Sequence, residues 1–226
     1  MTAQSTVVVF DLGGVLIDWN PRHLYRKLFQ DESEMEDFLA NVCTAQWNLQ
    51  QDGGRSFQEA CAALKLEHPD KADMIEAWFE RFDEMMAGPI AGSVEILAEL
   101  RERDVPIYAL SNWSAETFPF AQRRFEFLQW FRAIFLSAEV RLVKPDPRIF
   151  KCFCETFALS PEQIIYIDDL QHNVKAARTI GIHAIQFRDP ASLRQELVQL
   201  GMLTSMARLE EVAPQVSDGK AMDFTQ

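Results

Sequence analysis

Four short apolar runs, each closing on a polar residue of a different kind, constrain this chain more than any other feature. Val7-Val8-Val9-Phe10 ends on Asp11, and Val105 to Leu110 ends on Ser111-Asn112. Ile134-Phe135-Leu136 is followed by Lys144-Pro145, and Ile164 to Ile167 ends on Asp168-Asp169. Runs this short and wholly apolar, bounded by turn residues, read as strands buried on both faces, as in a parallel sheet. Ligands of open parallel sheets bind beyond the carboxyl ends of the strands, which is where these polar groups fall. The pattern predicts one site that combines a carboxylate, a hydroxyl, a cation and a carboxylate pair.

The rest of the chain supports that frame. After Gly88-Pro89, helix and strand alternate. A helix over Ser93–Arg103 places Val94, Leu97 and Arg101 on one side, and a helical stretch runs through Phe131. Pro147–Phe157 is a helix, and Ser160-Pro161-Glu162-Gln163 is a capping box. Val174–Ile180 is a helix closed by Gly181, and His183–Phe187 is a fifth strand. Such alternation argues an α/β fold with a parallel sheet. Residues 18–88 differ: they show no good strand and several amphipathic helical patterns. Asn20-Pro21 reads as a helix start and Asp52-Gly53-Gly54 as a turn between helices. The division expected is an α/β core over 1–17 and 89–203, a helical insert over 18–88, and a loosely held tail over 204–226.

The chain has 226 residues, enough for a substantial core. Its 22 Lys+Arg against 34 Asp+Glu give a formal charge of −12, which argues against nucleic acid as a partner. No basic stretch followed by an apolar leader opens the chain, and no apolar run approaches the roughly 18 residues of a membrane span. A soluble cytoplasmic protein with no membrane partner is expected. Cys43, Cys61, Cys152 and Cys154 read as structural thiols, since no His stands at ligand spacing beside the Cys-x-Cys pair.

The polar residues carry the chemistry. Asp11, between an apolar strand and Gly13-Gly14, fits a nucleophile and metal ligand, and equally a turn residue. Asp168-Asp169 shifts that balance, because adjacent carboxylates repel and joining Asp11 to them is unfavourable without a cation. Mg²⁺ suits such a set, since it takes oxygen ligands and keeps room for water and a substrate phosphate. Lys144, fixed by flanking prolines in Lys-Pro-Asp-Pro, offers a point charge to hold a phosphate or to offset the nucleophile's charge. Ser111 and Asn112 offer hydrogen bonds to a phosphoryl oxygen, and Asn173 an amide nearby.

The set Asp11-Leu-Gly-Gly-Val, Leu110-Ser-Asn, Lys144-Pro-Asp-Pro and Asp168-Asp169…Asn173 resembles the haloacid dehalogenase superfamily of hydrolases. The motifs occur in order over residues 7–187. The resemblance implies a Rossmann-like core with a helical cap inserted after the first motif. It implies an aspartyl-phosphate on Asp11. It implies Mg²⁺ held by Asp11, the Gly13 carbonyl and Asp169 with Asp168 close by, and a phosphoryl group held by Ser111 and Lys144. The chain departs from the common pattern at Gly13, where phosphatases of this superfamily usually place a second aspartate as acid and base. A sugar-1-phosphate phosphatase subgroup is similar in carrying Asp-x-Gly. Asp18, His23, Asp52 or water are the candidate substitutes for the missing acid.

The expected function is a Mg²⁺-dependent phosphomonoesterase for a small phosphorylated metabolite, a sugar phosphate in the first instance. Two other readings compete: a 2-haloacid dehalogenase, which also lacks the second aspartate, and a weakened enzyme serving as a binding or regulatory protein. Trp19, Arg22 and Trp47 are the residues expected to choose the substrate, with His23, Asn48 and Trp113 as further pocket candidates, while Trp19 and Trp47 fit equally well as packing between cap and core. The aromatics from Phe118 to Phe135 are either core or a dimer face, so a monomer and a homodimer both stay open.

Overall fold

The computed structural model describes residues 6–204, so the expected tail lies, but for Thr204, outside the described residues. Five parallel strands form the central sheet: β1 (Val7–Phe10), β4 (Ile107–Ser111), β5 (Ala133–Leu136), β6 (Ile164–Asp168) and β7 (His183–Gln186). Their spatial order is β5-β4-β1-β6-β7, which puts β1 at the centre. Val9 stands beside Tyr108 on one flank and Tyr166 on the other, so the first strand is paired along both edges.

Both faces of the sheet are covered, which is why the strands lack polar alternation. Val8 and Phe10 of β1, with Ile165 and Ile167 of β6, point into one apolar cluster. Val7 and Val9, with Ile164 and Tyr166, point into the other. This period of two sends alternate side chains to opposite faces. The second cluster is closed by α9 (Pro147–Phe157) and α10 (Gln171–Arg178), through residues such as Phe150, Phe153 and Val174. The first is closed by α6 (Ala91–Glu102) and by the helices of the insert, and Trp78 and Phe38 belong to it.

The insert carries α1 (Arg22–Tyr25), α2 (Glu32–Asn41), α3 (Ala45–Asp52), α4 (Phe57–Glu67) and α5 (Ala72–Glu80). Side chains of Asp31, Thr44 and Ser56 cap the amino ends of α2, α3 and α4. The sequence pattern missed the ends of this segment. There β2 (Ile17–Trp19) and β3 (Met86–Pro89) pair antiparallel, so the chain leaves and re-enters the sheet through a two-stranded stem. Strands of three and four residues are too short for alternation to register.

One other expectation needs correction. Helix α6 buries Ser93, Ile96, Leu97 and Leu100, whereas Arg101 lies outside the core with its guanidinium over the Trp130 ring at 5.2 Å. Phe118, Phe125, Phe127, Phe131 and Phe135 are all buried, which favours the core alternative for these aromatics, with Phe120 and Trp130 half-buried against them. The four cysteines are free thiols, three of them buried. No helix among the described residues is long and apolar enough to cross a membrane.

Candidate active site

A cavity of about 370 Å³ opens beyond the carboxyl ends of β1, β4 and β6. Asp11, Gly13, Ser111, Asn112, Lys144 and Asp169 line its floor, so the sheet gathers its polar strand ends as the sequence pattern requires. Asp11 is tied down by its own backbone, whose N–H donates to the Ile167 carbonyl of β6 at 2.8 Å. Its Oδ1 accepts from the Ser111 hydroxyl and from the Leu12 N–H, each at 2.7 Å. Its Oδ2 lies 2.9 Å from Lys144 Nζ.

Lys144 commits all its donors inside the protein. Beyond Asp11, its Nζ donates to the Leu110 carbonyl at 3.0 Å and to Asp168 Oδ2 at 2.8 Å. Asn112 fixes the lysine backbone reciprocally, accepting from Lys144 N–H at 2.8 Å and donating to its carbonyl at 2.9 Å. Asn112 thereby positions Lys144 with one N–H of its amide, and the residue itself lines the cavity.

Asp168 lies beside that lysine, deeper than Asp169. It is fully buried, and its oxygens accept from Lys144, the Tyr166 hydroxyl, the Leu170 N–H and the Asn173 amide. It anchors Lys144 and does not line the cavity, whereas Asp169 does. Charge follows from these contacts. Burial raises Asp11, and Asp168 adds to this against the pull of Lys144, so its carboxyl is pushed up to about 7. Burial works against Asp168 as well, but Lys144 and Tyr166 hold it below the usual carboxylate range. Asp169 is raised, first by burial and then by Asp168. Burial opposes the charge on Lys144, but Asp11 and Asp168 outweigh it and raise the amine.

This charge balance fits a divalent cation. Ligand oxygens of Asp11, Asp168 and Asp169 all lie within 4.8 Å of one another. At Gly14, with φ at +73°, an added Cβ would fall 2.6 Å from Asp169 Oδ2, so the glycine leaves the space that this carboxylate fills. Asn173 Oδ1, buried beside the cluster, has no hydrogen-bond partner among the described residues. An all-oxygen donor set of this kind suits Mg²⁺.

The insert supplies the opposite wall, with Trp19, Asn20, Arg22, Asn48, Asp52 and Phe82. Trp47 is absent from it: the ring is buried edge-on to Phe57 and Trp78 and serves packing, contrary to its expected substrate role. Arg22 reaches the wall, but its guanidinium is held by Glu36 through two bonds of 2.6 Å. Among the candidate acids, Asp18 and His23 pair with each other at 3.0 Å outside this cavity, and Asp52 alone lines it.

Comparison with known proteins agrees with this geometry. Residues 8–187 match the model of the haloacid dehalogenase-like hydrolases. The chain belongs to that family. A sesquiterpene phosphatase of Aspergillus oryzae is 26% identical over 202 residues, covering 88% of this chain and 98% of its own length. A family enzyme of Bacteroides thetaiotaomicron, solved with magnesium and inorganic phosphate, superposes with a TM-score of 0.62 at 22% identity, over 82% of this chain and 96% of that one. An L-2-haloacid dehalogenase of Xanthobacter autotrophicus shares the fold with a TM-score of 0.59 at 17% identity, over 92% and 88% of the two chains. This haloacid dehalogenase-like protein is a hydrolase, with phosphatases among its relatives.

Several site residues escaped the sequence reading. Tyr166 stands two residues before Asp168 on the same face of β6, a period-two relation that was there to be used. Ser137 directly follows β5 and receives the Trp113 N–H at 3.0 Å. Phe82 gave no signal, because its approach to the cavity depends on how the insert packs.

Proposed function

We propose that this protein is a Mg²⁺-dependent phosphomonoesterase that forms an aspartyl-phosphate on Asp11. The observation that carries this reading is the convergence of Asp11, Asp168 and Asp169 within 4.8 Å, with Lys144 bridging two of them. A 2-haloacid dehalogenase has no use for such a carboxylate cluster, and the residues of a merely binding protein need not be this closely engaged. Asp11, Asp169 and the Gly13 carbonyl would hold Mg²⁺. When bound, the ion neutralises the cluster and draws charge from the phosphoryl oxygens. Ser111 and Lys144, whose donors are spent on Asp11 and its neighbours, orient the Asp11 carboxylate for attack on phosphorus.

Residues 18–88 serve in this reading as a cap over the core, with Trp19, Asn20 and Asn48 facing the leaving group. With Arg22 neutralised by Glu36, this wall offers no free cation among the described residues. It therefore suits a phosphate ester whose leaving group is neutral, a sugar phosphate being the first reading. A second has support of its own: Trp19, Phe82 and Trp113 give the cavity an apolar side, and a relative matched over 98% of its length is a sesquiterpene phosphatase, so a terpenyl monophosphate also suits it.

Phosphate release from sugar and terpenyl monophosphates, with Mg²⁺ and with chelator, tests the proposal. Release that requires Mg²⁺ and vanishes in Asp11→Asn supports it. Release unaffected by Asp11→Asn removes the nucleophile assignment, and halide release from 2-haloacids in place of phosphate release removes the phosphatase reading.

A further inference from the structure

The wall opposite Asp11 holds one carboxyl that belongs to no metal cluster. Asp52 closes α3, and its position is set by the core as well as the insert. Its carbonyl accepts from the Ser137 hydroxyl at 2.6 Å, and its Oδ2 accepts from the Asn48 amide at 3.0 Å. Gly54, with φ at +95°, lets the following turn lie so close to the chain at Ala138 that a Cβ would meet that carbonyl at 2.9 Å. Asp52 is thus a docked side chain, not the mobile tip of a loop.

Expulsion of an alkoxide requires a proton, and few groups around this cavity have one to give. Lys144 spends its donors on Leu110, Asp11 and Asp168. The Ser111 proton is directed at Asp11. The Arg22 guanidinium is engaged by Glu36. Asp11 and Asp169 belong to the carboxylate cluster. Gly13 has no side chain, and an added Cβ there would meet nothing nearer than Trp19 Cβ at 3.8 Å. Among the described residues that line the cavity, one proton donor is left by this accounting.

We propose that Asp52 is the general acid and base of the reaction. The inference rests on the phosphatase reading above. In the first half, an Asp11 oxygen bonds to phosphorus, the bond from phosphorus to the ester oxygen breaks, and that oxygen takes the Asp52 proton to leave as an alcohol. In the second half, the Asp52 carboxylate takes a proton from water as its oxygen bonds to phosphorus. The bond to Asp11 then breaks, freeing phosphate and restoring protonated Asp52. Burial pushes the Asp52 carboxyl up to about 7, so both of its forms are accessible near neutrality.

The test compares 4-nitrophenyl phosphate, whose leaving group needs no proton, with a simple alkyl phosphate in the presence of Mg²⁺. Asp52→Asn is expected to lower kcat/KM for the alkyl ester about 10²–10⁴-fold and to leave that for the nitrophenyl ester within about tenfold. An equal fall for both esters, or none for either, overturns the assignment. A second measurement needs no variant: with an acid in place, wild-type kcat/KM varies little across aryl and alkyl phosphates, and steep dependence on leaving-group acidity overturns the proposal. Absence of phosphate release from every ester counts against the phosphatase reading itself.

Discussion

Lys144 Nζ lies 2.8 Å from Asp168 Oδ2, and neither side chain is more than 1% exposed. Breaking such a pair from one side strands a buried charge, at a cost of about 3–5 kcal/mol. Lys144→Met is therefore expected to lose that much stability and all measurable turnover. Adding Asp168→Asn should restore part of the stability and none of the activity. Urea denaturation of the three proteins checks this. No recovery in the double variant would show that Lys144 matters to the fold through Leu110 or Asp11 instead.

Gly14 makes a metal prediction. A methyl group there would intrude on Asp169 and occupy a left-handed backbone position, which costs roughly 1–2 kcal/mol for an ordinary residue. Gly14→Ala should raise the Mg²⁺ concentration for half-maximal phosphate release about 10–100-fold, as displacing a ligand's support commonly does. An unchanged Mg²⁺ requirement would remove Asp169 from the ligand set.

The pH dependence turns on Asp52. Burial raises its carboxyl from 3.8 to about 7, with Asp11 adding to the rise while the Ser114 N–H and Lys144 oppose it. The folded state then keeps a proton that the unfolded chain releases between those values, so stability falls as pH rises through this window. The full penalty, of the order of 4 kcal/mol, is present above pH 7. Asp52→Asn is accordingly expected to be more stable than wild type at pH 8, with the gap closing towards pH 4, as denaturant midpoints would show. In catalysis, alkyl-ester kcat/KM should fall above about pH 7 in wild type, and that limb should be missing from the variant.

Arg22 shows where sequence reading reaches its limit. The sheet and the polar groups at its strand ends were legible because apolar runs and the residues that close them are local features. Asp11, Ser111, Lys144 and Asp169 meet as that reading requires. Residues placed by helix packing were not legible. Glu36 lies on α2, fourteen residues from Arg22, and nothing in the local pattern marks it as the arginine's partner. Trp47 was likewise indistinguishable from a pocket residue until Trp78 and Phe57 were seen against it. Because Glu36 already pairs with the guanidinium through its Nε and Nη2 edge, Arg22→Ala should change KM for the preferred phosphate ester less than about threefold. A much larger rise would mean that the arginine leaves Glu36 to bind substrate.

Gly13 offers the converse experiment. The nearest atom to a Cβ built there is 3.8 Å away, an ordinary contact, so the glycine is not imposed by crowding, and its φ is not in the left-handed region. A carboxyl at this position would face the same cavity as Asp11 and Asp52. If a proton donor is all that Asp52→Asn lacks, Gly13→Asp in that background should recover at least about tenfold in alkyl-ester kcat/KM while leaving nitrophenyl phosphate nearly unchanged. The same substitution in wild type should add little, because the proton is already supplied. A gain of equal size in both backgrounds would show that the new carboxyl acts independently of Asp52, with the two groups serving different steps.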